Sequence, residues 1–220
     1  ESWEDDLPDF IKLAYLPQPG IVRLRLTAQG EDDQILEREL NCQSDKLYKL
    51  IPEFIFGEDD DTLQEIIGKL LKSKNAFLAT AESCTGGYVA HLITGISGSS
   101  DYFKGSVVAY SNEIKEKILA VSSQTLEMYG AVSEETVKEM SQNLLEVMNV
   151  DYAIATSGIA GPTGGTDEKP VGTTWIAVCS KNKVVAKKYL FGEHRGRNIH
   201  RSAITALNML RKLLMEVQQG

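Results

Sequence analysis

The sequence predicts an α/β protein in two units: a small α+β domain over residues 1–57 and a larger α/β domain over 58–220. Three observations carry that reading. Short apolar runs at Ala76 to Ala81, Ser106 to Tyr110 and Tyr152 to Thr156 have the length and flanks of strands, and amphipathic runs at helical spacing lie between them. Two further strand-like runs, Gly172 to Cys179 and Val184 to Phe191, are joined by Ser180 to Lys183 and read as an antiparallel hairpin at a sheet edge, which makes the sheet mixed. An acidic run, Glu58 to Asp61, reads as a solvated link between the units.

Taken in order, Glu1 to Asp9 is acidic and contains Pro8, an irregular lead-in. Ile11 to Leu16 and Ile21 to Ala28 are strands about a Pro17 to Gly20 turn. In the second, Val22, Leu24 and Leu26 alternate with Arg23, Arg25 and Thr27, one face apolar and one basic. Asp32 to Phe56 has helical spacing, with a break near Asn41. Asp61 and Gln64 form a capping-box pattern, followed by Leu63, Ile66, Ile67, Leu70 and Leu71 at helical spacing and by Lys72 and Lys74 at the negative end of the dipole. A helix runs from about Thr85 to Thr94. Ser111 and Asn112 cap the next, with Ile114, Ile118 and Leu119 on one face and Lys115 off that stripe. Gly130 stops a short helix. Ser133 starts another, whose buried face is Val137, Met140, Leu144, Val147 and Met148. The last helix follows Glu193 to Arg197 and ends near Gln218, with Ile199, Ala203, Leu207, Leu210 and Leu214 inward.

Composition excludes several classes. The chain of 220 residues is 42% hydrophobic and 25% charged, enough to bury a sizeable core. With 23 basic against 31 acidic residues and a formal charge of −8, it is a poor match for a duplex nucleic-acid binder. Cys42, Cys84 and Cys179 are odd in number and widely spaced, which argues against a disulfide framework and a zinc site and favours the reduced cytoplasm. His91, His194 and His200 lie outside any metal-ligand spacing, so neither a metal nor a cofactor is expected. No run has the length of a membrane-spanning helix. The chain begins at Glu1 rather than Met, which suits a fragment of a longer protein.

Two stretches carry candidate chemistry. Ala76 to Gly87 reads as strand, tight turn and helix start, which sets the Ser83 hydroxyl over the carboxyl end of a sheet beside unpaired N–H groups at a positive dipole end. Ser83 is placed for a nucleophile or an anion ligand; a plain N-cap at Ser83 or Thr85, worth about 1 kcal/mol, is the competing reading. Ser157 to Thr166 holds four glycines in a short loop, so its N–H groups can approach a phosphate closely. A loop with no ligand is the alternative. It is neither a Walker A sequence nor a dinucleotide fingerprint. Arg195, Arg197 and Arg201 gather at the start of the last helix, opposing its dipole, which invites an offsetting anion.

Several ordered motifs resemble the C-terminal domain of the CinA family: Ala-Glu-Ser-Cys-Thr-Gly-Gly at 81–87, Tyr-Ser-Asn-Glu-Ile-Lys at 110–115, Gly-Ala-Val-Ser-Glu at 130–134, Ser-Gly-Ile-Ala-Gly-Pro-Thr-Gly-Gly-Thr at 157–166 and Lys-Pro-Val-Gly-Thr at 169–173. Residues 1–57 resemble the KH-like domain of the same proteins. The resemblance implies an α/β/α layered domain with a mixed sheet that commonly dimerises, without the family's N-terminal molybdopterin-binding-like domain, to which a metal-dependent ADP-ribose pyrophosphatase activity is assigned. It implies hydrolysis of nicotinamide mononucleotide (NMN) to nicotinic acid mononucleotide and ammonia by a Ser/Lys mechanism. Carried over by position, Ser83 matches the nucleophile and Lys115 the base, with Tyr110 nearby. Backbone N–H groups at Thr85, Gly86 and Gly87 are the expected oxyanion donors. Gly158, Gly161, Gly164, Gly165, Thr166 and Arg197 match the nucleotide-binding side. Leu119-Ala120-Val121 departs from the family's more frequent Leu-Gly-Val.

Two other functions compete. A binding or regulatory module would hold a nucleotide without cleaving it; Ser83, Lys115 and the glycine loop together favour an enzyme. An RNA- or DNA-associated role rests on the KH-like unit, but residues 1–57 lack the G-x-x-G loop such a module needs, and Arg23 and Arg25 read as a solvated strand face.

Overall fold

The computed structural model describes residues 2–216 and divides into two compact units, Glu1–Phe56 and Gly57–Gly220. In the first, a short helix α1 (Ser2–Asp5) stands where the sequence suggested irregular chain; Glu1 lies outside the described residues. Strands β1 (Ile11–Gln18) and β2 (Ile21–Ala28) pair antiparallel from Ile11↔Ala28 to Gln18↔Ile21, so the reversal needs only Pro19 and Gly20. Gly20 takes φ +86, which a residue with a Cβ rarely adopts. Helix α2 (Asp33–Leu50) opens on Asp32, whose carboxylate accepts from the N–H groups of Gln34 and Ile35, and runs unbroken through the exposed Asn41. Its end at Leu50 leaves Phe54 and Ile55 outside the helix that the spacing had extended to Phe56.

The second unit carries a five-stranded sheet in the order β4-β3-β5-β6-β7. Helix α3 (Leu63–Ser73) starts one residue later than the sequence suggested, because Thr62 and Glu65, not Asp61 and Gln64, exchange the reciprocal capping bonds. Strand β3 (Leu78–Glu82) lies between β4 (Phe103–Val108) and β5 (Tyr152–Gly158), parallel to both. Strands β6 (Thr173–Ser180) and β7 (Lys183–Leu190) continue antiparallel from β5. The sheet is therefore mixed. Strand β4 begins three residues before the apolar run did, with Gly105 at φ +147 absorbing a bulge against Leu78 and Ala79. It also ends before Ala109 and Tyr110, whose carbonyls thus leave the ladder.

Helices α4 (Tyr88–Thr94), α5 (Asn112–Leu119), α6 (Ser123–Tyr129), α7 (Glu134–Met148) and α8 (Arg195–Glu216) complete the unit. Residues on the two faces of a strand alternate. Ala79, Ala81, Ala153, Ala155, Ala177 and Cys179 meet Val137, Met140 and Leu144 of α7 in one core, and α8 packs on β5 and β6 with α3 and α4 against it. The intervening Leu78, Ile154, Ile176 and Val178 are also buried, as are the inward residues Ala203, Leu207, Leu210 and Leu214 of α8. Both faces of the central strands are covered, as an α/β/α arrangement requires. Val147 is half exposed rather than inward; Ser141, in register with Val137 and Leu144, takes the buried place. The expected end of α8 near Gln218 lies outside the described residues. Among the described residues, no helix is long and apolar enough to cross a membrane.

Helix α5 closes on Ala120, at φ +50 and ψ +32, whose N–H donates to the Lys115 carbonyl. A left-handed alanine costs roughly 1–2 kcal/mol, part of which glycine returns as unfolded-chain entropy. Ala120→Gly should therefore raise stability by about 1 kcal/mol, or roughly 2–4 °C in Tm. A melting curve that is unchanged or lowered would show that the strain is absent.

Candidate active site

Because β3, β4 and β5 run parallel, their carboxyl ends share one edge, where ligands of open α/β sheets bind. A cavity of about 290 Å³ opens there, lined by Ser83 and Cys84 after β3, Tyr110, Asn112 and Lys115 after β4, Ser157 and Gly158 at the end of β5, and Ile159 to Gly161 with Thr163 and Gly164 beyond it. Ala131, Val132 and Arg195 complete the wall.

Ser83 follows the last residue of β3, and its N–H donates to the Thr156 carbonyl at 2.9 Å, which pins the turn to β5. Lys115 is 1% exposed, and its Nζ lies 3.2 Å from Ser83 Oγ, 2.8 Å from the Ala109 carbonyl and 3.5 Å from that of Tyr110. The lysine reaches inward because Ser111 caps α5, accepting from the Ile114 N–H, and this phase puts Lys115 and Leu119, four apart, on the buried face. Ile118, expected there, is 46% exposed. Burial is the larger influence and lowers the Lys115 pKa from 10.5, while Cys84 acts the other way. As an ammonium Nζ donates to all three oxygens; in the neutral form that burial favours, the two carbonyls take its two N–H donors and the lone pair can accept from the Ser83 hydroxyl. Cys84 beside it is no rival nucleophile, since burial pushes its thiol up to about 12 and keeps it protonated.

The turn after Ser83 differs from the simple helix start that the sequence suggested. Gly86 and Gly87 take φ +62 and +95, so α4 begins at Tyr88 and not at Thr85. Neither Ser83 nor Thr85 caps it: the N-cap is Gly87, and the buried Glu82 carboxylate accepts from the N–H groups of Gly87, Val89 and Ala90 at 3.0, 3.0 and 2.8 Å. Gly86 N–H donates to the Ser83 carbonyl. Two of the three expected oxyanion donors are thus engaged, while the N–H groups of Cys84 and Thr85 have no oxygen acceptor among the described residues.

In the glycine loop, Gly161 holds φ +87, and a Cβ there would come within 2.4 Å of Val171. Its carbonyl accepts from Arg195 Nη1 at 2.9 Å, and Arg195 Nη2 donates to the Tyr110 hydroxyl at 3.3 Å. Asn198 Nδ2 ties the same loop to α8 through the carbonyls of Ala160 and Gly192. The N–H groups of Ala160, Gly161, Thr163 and Gly164 have no acceptor among the described residues. Ser157 Oγ donates to the Ala131 carbonyl at 2.6 Å, which ties the 130–134 motif to the start of the glycine loop, and Lys169 Nζ, beyond that loop, donates to the Tyr129 carbonyl at 2.9 Å.

Of the sequence candidates, the structure brings Ser83, Lys115, Tyr110, Gly158, Gly161 and Gly164 to one cavity. Thr85, Gly86, Gly87, Gly165, Thr166 and Arg197 do not line it. Arg195 and Arg197 are both exposed, but Arg195, two residues earlier and so on another face of the helix, is the arginine at the wall. Sequence reading missed Glu82 and Asn198, and it named Arg195 only as one of three arginines at the start of the last helix. For Glu82 the available signal was a charged residue closing an otherwise apolar strand.

The fold and the pocket define an α/β/α protein with a buried serine–lysine pair at the carboxyl edge of a mixed sheet. Comparison with known proteins places it more closely: the model of the CinA C-terminal domain matches residues 60–214, and the chain belongs to the CinA family. It is 48% identical to a CinA-like protein of Cytophaga hutchinsonii over 99% of this chain and 52% of the relative, and 44% identical to one of Flavobacterium psychrophilum over 98% and 52%. The chain thus spans about half the length of these relatives. Among solved structures, it resembles the competence/damage inducible protein CihA of Agrobacterium tumefaciens at TM-score 0.69 and 36% identity, over 72% of this chain and 98% of that one. A CinA superfamily protein of Escherichia coli is similar at TM-score 0.66 and 32% identity, over 74% and 98%.

The buried amine has a stability signature. Between its lowered folded pKa and 10.5 the unfolded chain binds the extra proton, so this group makes stability rise with pH through that window. Lys115→Met should be more stable than wild type at neutral pH, with the gap closing as pH approaches the ordinary lysine value. A gap in thermal stability that stays constant over that range would contradict the lowered pKa.

Proposed function

We propose that this cavity hydrolyses the primary carboxamide of a nucleotide, NMN being the substrate that the family resemblance implies, to give the acid and ammonia. The observation that carries the reading is the 3.2 Å contact between Ser83 Oγ and a lysine amine that burial favours in its neutral form. In this scheme Ser83 Oγ attacks the amide carbon as its proton passes to Lys115 Nζ. The N–H group of Cys84, a residue of the cavity wall, receives the oxyanion. Lys115 returns the proton to the leaving nitrogen, ammonia departs, and water cleaves the acyl-serine by the same proton route. Along the glycine loop, the guanidinium of Arg195 and the backbone N–H groups without an acceptor supply the donors a phosphate needs. The short helix α4 does not serve there, since Glu82 already occupies its donors.

Ammonia release from NMN tests the reading. Ser83→Ala and Lys115→Ala should each lower turnover by about 10³-fold or more with folding intact. The acid limb of kcat/KM against pH should fall below 10.5, since the base must be deprotonated to work. Near-normal turnover in either variant removes that residue from the mechanism. Arg195→Ala should raise KM by roughly 10- to 100-fold, the cost of a charged hydrogen bond to phosphate, while Arg197→Ala changes it little. The reverse ranking would return the phosphate to Arg197.

A further inference from the structure

Glu82 has no exposed surface, and its carboxylate meets five donors. Oε1 accepts from Thr80 Oγ1 at 3.2 Å and from Ala90 N–H at 2.8 Å. Oε2 accepts from Thr85 Oγ1 at 2.7 Å and from the N–H groups of Gly87 and Val89, each at 3.0 Å. A carboxylate accepts without donating, so every partner suits it. Thr85 Oγ1 is also 2.7 Å from Thr156 Oγ1, which extends the network to β5 beside the glycine loop. One side chain therefore joins β3, the Ser83 turn, α4 and β5.

The consequence lies in which donors remain. From Cys84 to Ala90, Gly86 N–H goes to the Ser83 carbonyl, Tyr88 N–H to the Thr85 carbonyl, and those of Gly87, Val89 and Ala90 to Glu82. Only Cys84 and Thr85, the two residues next to Ser83, keep an N–H without an oxygen acceptor among the described residues. We propose that Glu82 is a positioning residue: by holding Thr85, Gly87 and the first turn of α4, it fixes the Ser83 hydroxyl and the Cys84 N–H at the cavity wall, where the oxyanion forms. This rests on the reading of Ser83 as the nucleophile. Glutamine is the informative replacement, since it keeps the length and one acceptor oxygen but turns an NH2 toward the Ala90 N–H or its counterparts, a donor facing a donor.

The test compares wild type, Glu82→Gln and Thr85→Val in the intact chain, by NMN turnover and by the rate at which a small fluorophosphonate labels Ser83, followed by intact mass. The fraction of folded protein is measured for each. Glu82→Gln should lower kcat and the labelling rate by about 10²-fold, the scale of a lost oxyanion donor, with KM within about twofold and the acid limb of the pH profile unmoved, since Lys115 is untouched. Thr85→Val, which removes one tether and preserves shape, should show a smaller fall of the same kind and keeps the test alive if Glu82→Gln does not fold. Wild-type rates in a folded Glu82→Gln or in Thr85→Val, or losses that follow only the folded fraction, would overturn the proposal. If wild-type Ser83 is neither labelled nor needed for ammonia release, the nucleophile reading fails and this inference with it. If Ser83 is labelled but NMN is not hydrolysed, the substrate is wrong, and the labelling ratio still decides the role of Glu82.

Discussion

A lysine amine enclosed by protein, with two carbonyls and one hydroxyl for company, is the constraint around which this domain is arranged. Among the described residues no carboxylate pairs with Lys115, and an unpaired buried ammonium would cost several kcal/mol. Burial therefore favours the neutral amine, which avoids that cost and suits its three neighbours. Local structure serves the same end: Ser111 sets the phase of α5, the close of β4 at Val108 releases two carbonyls toward Nζ, and Ala120 accepts a left-handed conformation so that the helix ends on the Lys115 carbonyl. The packing of α7 beneath β3 and β5 then holds the serine and the lysine, 32 residues apart, at one distance.

The second feature is a separation of charge. The positive end of a helix beside a nucleophile looks like an anion site, and here an internal carboxylate already fills it. Negative charge on a substrate is better received across the cavity, where Arg195 meets Gly161 and several backbone N–H groups have no acceptor. In the proposed reaction the oxyanion and the phosphate would therefore draw on distinct sets of donors, so that each could be altered without the other.

Much of the fold was legible because burial imposes a period: apolar runs marked the strands, and capping residues such as Ser111 and Ser133 marked helix starts. The boundaries that slipped did so where backbone conformation outweighed composition. Gly105 sits inside β4 at a bulge, and Gly86 and Gly87 delay α4 by three residues. The site was legible in parts. Ser83 stands in a recognisable turn, but nothing in the spacing marks Lys115 as buried, because a lysine beside an apolar stripe reads as surface; its assignment came from the family motif. Arg195 and Arg197 differ only in helix phase, which one sequence fixes poorly near a helix end. Glu82 acts through contacts spread over residues 80–90, whose convergence depends on two positive-φ glycines.

The central claim concerns one proton, and it can be observed without turnover. Carbon-13 label at Cε of lysine, assigned with Lys115→Met and followed by NMR as pH is raised, reports the titration of this amine directly. The account predicts an inflection displaced below the ordinary value of 10.5. An inflection at or above that value would leave Lys115 charged at neutral pH, a hydrogen-bond donor to Ser83 and not its base.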